Sequence, residues 1–287
     1  MKTRAIKDLA QLSDNNLFEE IAQGLNLVVE NAICIEADSI FLAEQERTRG
    51  CKILRSIAQE EASKFLILLD AIRCDRKSNA ENFSRQLGYF NDHLPKLIYA
   101  QCYSFRPADF REICEWIESA REQYYLDGPN EVDWIFPNQI NHNRENLMYV
   151  DYIKMDNKHY WIQPDYYNFL DKGRIHYVDK LSTDVLKLVN ALHNVGISRP
   201  EALEIIASRW KPVKMSDNFY IQELKELNLQ TLNDLREKDL LHDQPNEVYA
   251  TIVERWLFPL HSLDLSEKKV KESELRGIQK QRSQDFY

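Results

Sequence analysis

Three short segments gather residue types that could move a proton or hold an anion. The first is AQEEASK, residues 58–64. Glu61 follows Ile57 by four residues and precedes Phe65 by four, which sets it on the apolar stripe of a helix. A carboxylate there must be paired, hydrogen-bonded or neutral. Lys64, three residues from Glu61 and four from Glu60, is an available partner. On spacing alone this is a surface salt bridge; the functional reading is a buried polar centre. The second segment is NDHLPK, residues 91–96, in which His93 and Lys96 share a helix face. His93 lies near the start of that helix, where the dipole favours an imidazole able to act as a base; the competing reading is a structural histidine. The third segment, HNRENLMYVD (residues 142–151), sets Arg144, Tyr149 and Asp151 at the start of a β-hairpin. Arg144 suits a phosphate or a carboxylate such as Glu61. Strand alternation sends Tyr149 and Asp151 to one face, and Val150 and Tyr152 to the other.

Metal chemistry has little support. The five cysteines, Cys34, Cys51, Cys74, Cys102 and Cys114, form no CxxC pair. They read as reduced core residues of a cytoplasmic protein, with zinc and other cofactors not expected. Glu60, Glu61 and His93 are a conceivable ligand set, but adjacent helical residues point about 100° apart and chelate one ion poorly.

The elements that position these segments are mostly helical. Only 7 of 287 residues are glycine, which disfavours phosphate-cradling loops and many-stranded folds. Apolar residues at helical spacing predict a helix from Asp14 to about Glu46, a break at Arg49-Gly50, and a second helix carrying Leu54 to Ile72. A short link makes the pair an antiparallel hairpin. Further helices are predicted over 83–90, 93–103 and 108–125, the last ended by Asp127-Gly128-Pro129. Residues 147–153 and 159–163 read as the two strands of the hairpin, with a turn at 155–158. Helices resume over 184–195, 200–210, 221–228, 231–240 and 247–258. No apolar run is long enough for a secretory signal or a membrane span. With a net charge of −9, the chain is no general nucleic-acid glue, so any nucleic-acid site must be a local basic cluster.

Taken in order, the 58–64 helix, the DHLPK segment and the Arg144–Asp151 stretch leading to Trp161 and Pro164 resemble the AbiV family of abortive-infection proteins, within the HEPN-like helical bundles. The resemblance covers about residues 15–165. It implies a mainly α fold: a HEPN-like helical bundle with one small β-hairpin (about 147–163) and additional C-terminal helices. The expected division is 1–165 for the family-like domain, 166–262 for a helical extension packed on it, and 263–287 for a flexible charged tail. The resemblance further implies a bacterial, cytoplasmic anti-phage effector that dimerises with itself and acts on RNA or translation; a phage-encoded activator protein is a candidate partner.

Many HEPN relatives cut RNA without a metal, using an arginine and a histidine with four to six residues between them. Arg85 and His93 have seven residues between them and miss that spacing. Arg236 to His242 and Arg255 to His261 have five, and both lie outside the matching region. As a metal-independent endoribonuclease the chain would use His93 as base or acid. Arg144, Lys96 or Lys64 would meet the phosphate charge, and Glu61 would orient a cation. Tyr149, Asp151, Arg255 and His261 are the candidate binding residues. The alternative is a non-catalytic helical module that senses a phage protein or pairs with a partner toxin, with the same polar residues serving structure.

Overall fold

The computed structural model describes residues 5–125, 135–136, 138–155, 158–164 and 183–271, together with 273 and 277. The chain divides into two compact units: Met1–Cys114 with Val178–Asp264, and Glu115–Tyr177 with Leu265–Tyr287.

The first unit is a helical bundle built round one hairpin. Helix α1 (Asp14–Glu44) and helix α2 (Thr48–Arg73) are antiparallel neighbours. The predicted stripe of α1, Leu17, Ile21, Leu25, Val28, Val29 and Ala32, is buried. The break falls at 45–47, earlier than Arg49-Gly50, and Glu46 takes the left-handed conformation (φ 57°). Gly50 instead sits inside α2, where a Cβ would stand 3.0 Å from the Leu42 side chain. Its missing side chain serves close helix approach. Nearby, the Ser39 hydroxyl donates to the Cys51 carbonyl at 3.1 Å.

Helix α2 is the centre of the bundle. Every residue from Phe65 to Cys74 is buried, so this half of the helix is covered on all sides. Each fully buried large apolar side chain here contributes about 1.5–3 kcal/mol. Helix α3 (Ala80–Gly88) and helix α4 (His93–Cys102) pack on α2, with a 3-10 turn at Tyr89–Asn91 between them. Helices α7 (Asp184–Asn194) and α8 (Pro200–Trp210) pack on α1 and α2. Helix α9 (Ile221–Glu237) lies against α8 and α10 (Asn246–Arg255). The two helices predicted over 221–240 are thus one. Asn228, which looks like a break, is fully buried; its amide donates to the carbonyls of Trp256 (2.7 Å) and Val253 (3.3 Å). The last helix also ends earlier than predicted, at Arg255.

A buried polar network ties the chain after α10 to α2. The Asp70 carboxylate accepts from Arg73 Nε (3.0 Å), the Tyr99 hydroxyl (2.6 Å) and the Leu260 amide (2.8 Å). Arg73 donates to the Leu257 carbonyl at 3.0 Å. Its guanidinium carbon lies 4.5 Å and 4.9 Å from the ring centroids of Trp210 and Trp256, two rings whose own centroids are 5.7 Å apart, so the desolvated cation meets both ring faces.

In the second unit, helix α6 (Gln139–Met148) precedes a hairpin of β3 (Asp151–Met155) and β4 (Lys158–Ile162), with Tyr152 opposite Trp161. The hairpin therefore starts later than 147: Leu147 and Met148 end α6, and Tyr149 is its C-cap. Asn138 builds α6. Its side-chain oxygen accepts from the amides of Ile140 (3.0 Å) and Asn141 (3.3 Å), while its amide donates to Ala120 and Glu122 carbonyls. Helix α5 (Phe110–Ala120) stops short of the predicted 125, since Tyr124–Tyr125 (β1) pairs with Ile135–Phe136 (β2). The predicted stop at 127–129, the turn residues 156–157 and most of 272–287 lie outside the described residues. In the stretch 265–271, Lys268 exchanges backbone bonds with Arg121 and Gln123, and Arg121 Nε donates to the Ser266 carbonyl at 2.7 Å. Among the described residues no helix is long and apolar enough to cross a membrane. The architecture is mainly α with a small antiparallel hairpin, as the sequence predicts.

Candidate functional site

Helix α4 opens on His93, with Asp92 extended (φ −96°, ψ 135°) at its N-cap. This start sets the imidazole against the middle of α2. His93 Nδ1 lies 2.7 Å from Glu60 Oε2. Lys96, one turn along α4, brings Nζ to 2.9 Å from that same oxygen and 3.5 Å from His93 Nδ1. A carboxylate accepts only, so the proton between the two side chains belongs on Nδ1. In the neutral ring Nε2 is then the acceptor. Exposure divides the cluster: the side chains of Glu60 and Lys96 are 6% and 7% exposed, and that of His93 is 55% exposed. Two buried, opposite charges hold a ring whose far side reaches solvent.

The carboxylate turned towards α4 is Glu60, where the apolar stripe predicts Glu61. Glu61 instead pairs with Lys64 and accepts from Asn31 of α1 at 3.1 Å. Lys64 also lies 5.2 Å from the Phe90 ring centroid. The stripe misleads because α2 is covered by α1 on one side and α4 on another, so an inward position exists on both. No apolar stripe marks the face of Glu60 in the sequence: Ser63 and Ile67 continue it along α2 and both are buried, but serine gives no apolar signal. Glu60, Glu61 and His93 do not converge as a ligand set, since Glu61 faces Lys64 and Asn31.

The other candidates are held elsewhere. Arg144 is half-buried on α6, Tyr149 is exposed at the end of that helix, and the Asp151 carboxylate accepts from the Tyr152 amide at 2.8 Å; all three belong to the second unit. Arg255 lies 3.4 Å from Asp184. His261 is largely enclosed, and burial pushes its imidazole down to about 4 against the pull of Asp70. Neither of these two bonds to the other. Arg236 donates to Asn233 and lies over the Tyr249 ring, while His242 Nδ1 faces the Asn194 carbonyl at 3.2 Å. Neither correctly spaced Arg/His pair is therefore a bonded pair in the folded chain.

The family model described as AbiV, of HEPN type, matches residues 20–168, a little over half of the chain. That span contains Glu60, His93, Lys96 and the hairpin. No curated protein and no solved structure matches the chain.

Proposed function

The chain belongs to the AbiV family of abortive-infection, HEPN-type defence proteins, and from this premise we propose that it cleaves RNA without a metal, with His93 as the proton-transfer group. The observation that carries the reading is the solvent-facing imidazole of His93, fixed from behind by buried Glu60 and Lys96. A carboxylate on Nδ1 orients the ring and stabilises the imidazolium that forms when Nε2 takes a proton.

In this reading Nε2 removes the proton of a ribose 2′-hydroxyl. The 2′-oxygen bonds to the adjacent phosphorus, the bond to the 5′-oxygen breaks, and the departing oxygen takes up a proton, leaving a cyclic phosphate. Glu60 is a positioning residue, with Lys96 as its counter-charge. Lys64, one helical turn from Glu60 and 20% exposed, supplies the cation for the developing phosphorane charge. Two copies in a homodimer would concentrate such cations on an otherwise acidic surface.

A second reading has one observation in its favour. The hairpin exposes Tyr152, Tyr160 and Trp161, the last 73% exposed, as a partner-binding module would. Purified protein incubated with total RNA, with and without EDTA, separates the two. EDTA-resistant cleavage that His93→Ala removes supports the enzyme. Intact RNA from a folded wild-type protein supports the module.

A further inference from the structure

The second unit carries an exposed aromatic face. Strands β3 and β4 pair Tyr152 with Trp161 and Lys154 with His159. Cross-strand partners point to the same side, and so do residues two apart on one strand. Tyr152, His159 and Trp161 therefore share one face of the ladder, and Lys154 holds its fourth position. Ile162 belongs to the opposite face and is buried. Tyr152 and Trp161 are 54% and 73% exposed, and His159 is exposed as well.

The three rings lie together. The Tyr152 centroid is 4.7 Å from that of Trp161, with 42° between the planes, and 5.6 Å from that of His159, with 16° between them. Tyr152 thus backs both neighbours, and the indole keeps its outer face in water. Rings clustered and uncovered in this way mark a binding surface. Size and composition decide what fits it. Two five-residue strands make a ribbon about 17 Å long and 10 Å wide. A stable protein interface takes about 800 Å² from each partner, several times that footprint. A nucleic-acid strand needs only π-faces for its bases and positive charge for its phosphates. The ladder offers both residue types on this face, with no carboxylate and no aliphatic residue among its four paired positions. On a chain of net charge −9 that is a local departure from the acidic average.

We propose that this face is a stacking platform for single-stranded RNA. An unpaired base lies on the outer face of the Trp161 indole, which Tyr152 supports from behind, and the basic positions beside it attract the flanking phosphates. Bases inside a duplex are stacked on one another and offer the indole no face, so single strands are preferred. Every base has a π-face, so the platform tolerates many sequences. RNA as the ligand rests on the cleavage reading; the platform itself binds and breaks no bond.

The full chain is titrated with a fluorescein-labelled oligouridine carrying 2′-O-methyl groups, which lacks the 2′-hydroxyl and so cannot be cut by the proposed route. Anisotropy reads the binding, with the same strand in a duplex as competitor. Saturable binding that the duplex competes for poorly supports the platform. Trp161→Ala is expected to weaken binding by about five- to a hundredfold, and Trp161→Phe, which keeps a ring, to retain most of it. Should Trp161→Ala fail to fold by circular dichroism, ultraviolet crosslinks between the oligouridine and wild type decide instead. Mapped by mass spectrometry, they are expected within 151–162. Absence of saturable binding overturns the platform and leaves the face to a protein partner. Crosslinks confined to other segments, or a folded Trp161→Ala that binds as well as wild type, overturn it too. Intact total RNA beside retained oligouridine binding supports the platform and removes the cleavage reading alone; cut RNA without oligouridine binding removes the platform alone.

Discussion

Two carboxylates on α2 meet partners from α4 in opposite ways. Asp70 is 1% exposed and its oxygens are consumed from all sides, by Arg73, Tyr99 and the Leu260 amide. Glu60 is nearly as buried, at 5%, yet one of its partners, His93, leads straight to solvent. The first network is closed. Its cation is capped by two tryptophan rings, and its bonds reach across 184 and 190 residues of sequence to pin the chain after α10. The second is open, with two buried members and one member at the surface. A closed network stabilises; an open one can pass a proton. The same helix pair supplies both, and the difference lies in what covers the third partner.

The contrast is broken most severely at Asp70. Removing one member of a buried ion pair strands the other, so Asp70→Ala or Arg73→Met is expected to lower stability by about 3–5 kcal/mol, read by urea unfolding. At the open network, Glu60→Gln takes the counter-charge from Lys96 and leaves His93 a neutral amide oxygen in place of the carboxylate that stabilises its imidazolium. Its expected stability cost is about 1–3 kcal/mol, and RNA cleavage should fall with it. A cost as large as that at Asp70, with cleavage intact, would make both networks structural.

Acid should weaken the fold near the closed network. Burial holds His261 neutral, with its imidazole lowered from 6.5 to about 4. Between those values the unfolded chain binds the extra proton, so stability is complete above pH 6.5 and falls as pH drops towards 4. Denaturant midpoints measured across this window should decline, and His261→Phe should flatten the decline. The smallest effect belongs to the half-buried Lys64–Glu61 pair. Lys64→Met is expected to change stability by about 1 kcal/mol or less, measured by thermal unfolding, while lowering RNA cleavage through loss of the phosphate-facing cation.

Much of the scaffold was legible because its signals are local. Asp14 and His93 begin their helices where the sequence placed them, and Pro200 marks the start of α8. The hairpin was visible in its β-branched and aromatic run, though α6 before it was not: that helix has no apolar stripe and is set by the Asn138 cap. Within the candidate site, the His93–Lys96 face was readable from a spacing of three. Glu60 was not, because counting from Ile57 to Phe65 assumes one buried face, and α2 has several. The network round Asp70, the Trp210–Trp256 pair on Arg73 and the burial of His261 rest on contacts between residues far apart in sequence, for which periodicity carries no signal.

The central claim is that the open network does chemistry through its exposed member. His93→Gln keeps the site polar and removes the ring that Glu60 orients. The direct measurement is EDTA-resistant cleavage of total RNA by this variant beside wild type, with unfolding free energies measured on the same preparations. The account predicts cleavage by wild type, its loss in His93→Gln, and a stability change within about 0.5 kcal/mol, as for other exposed positions. Full cleavage by the folded variant would contradict it.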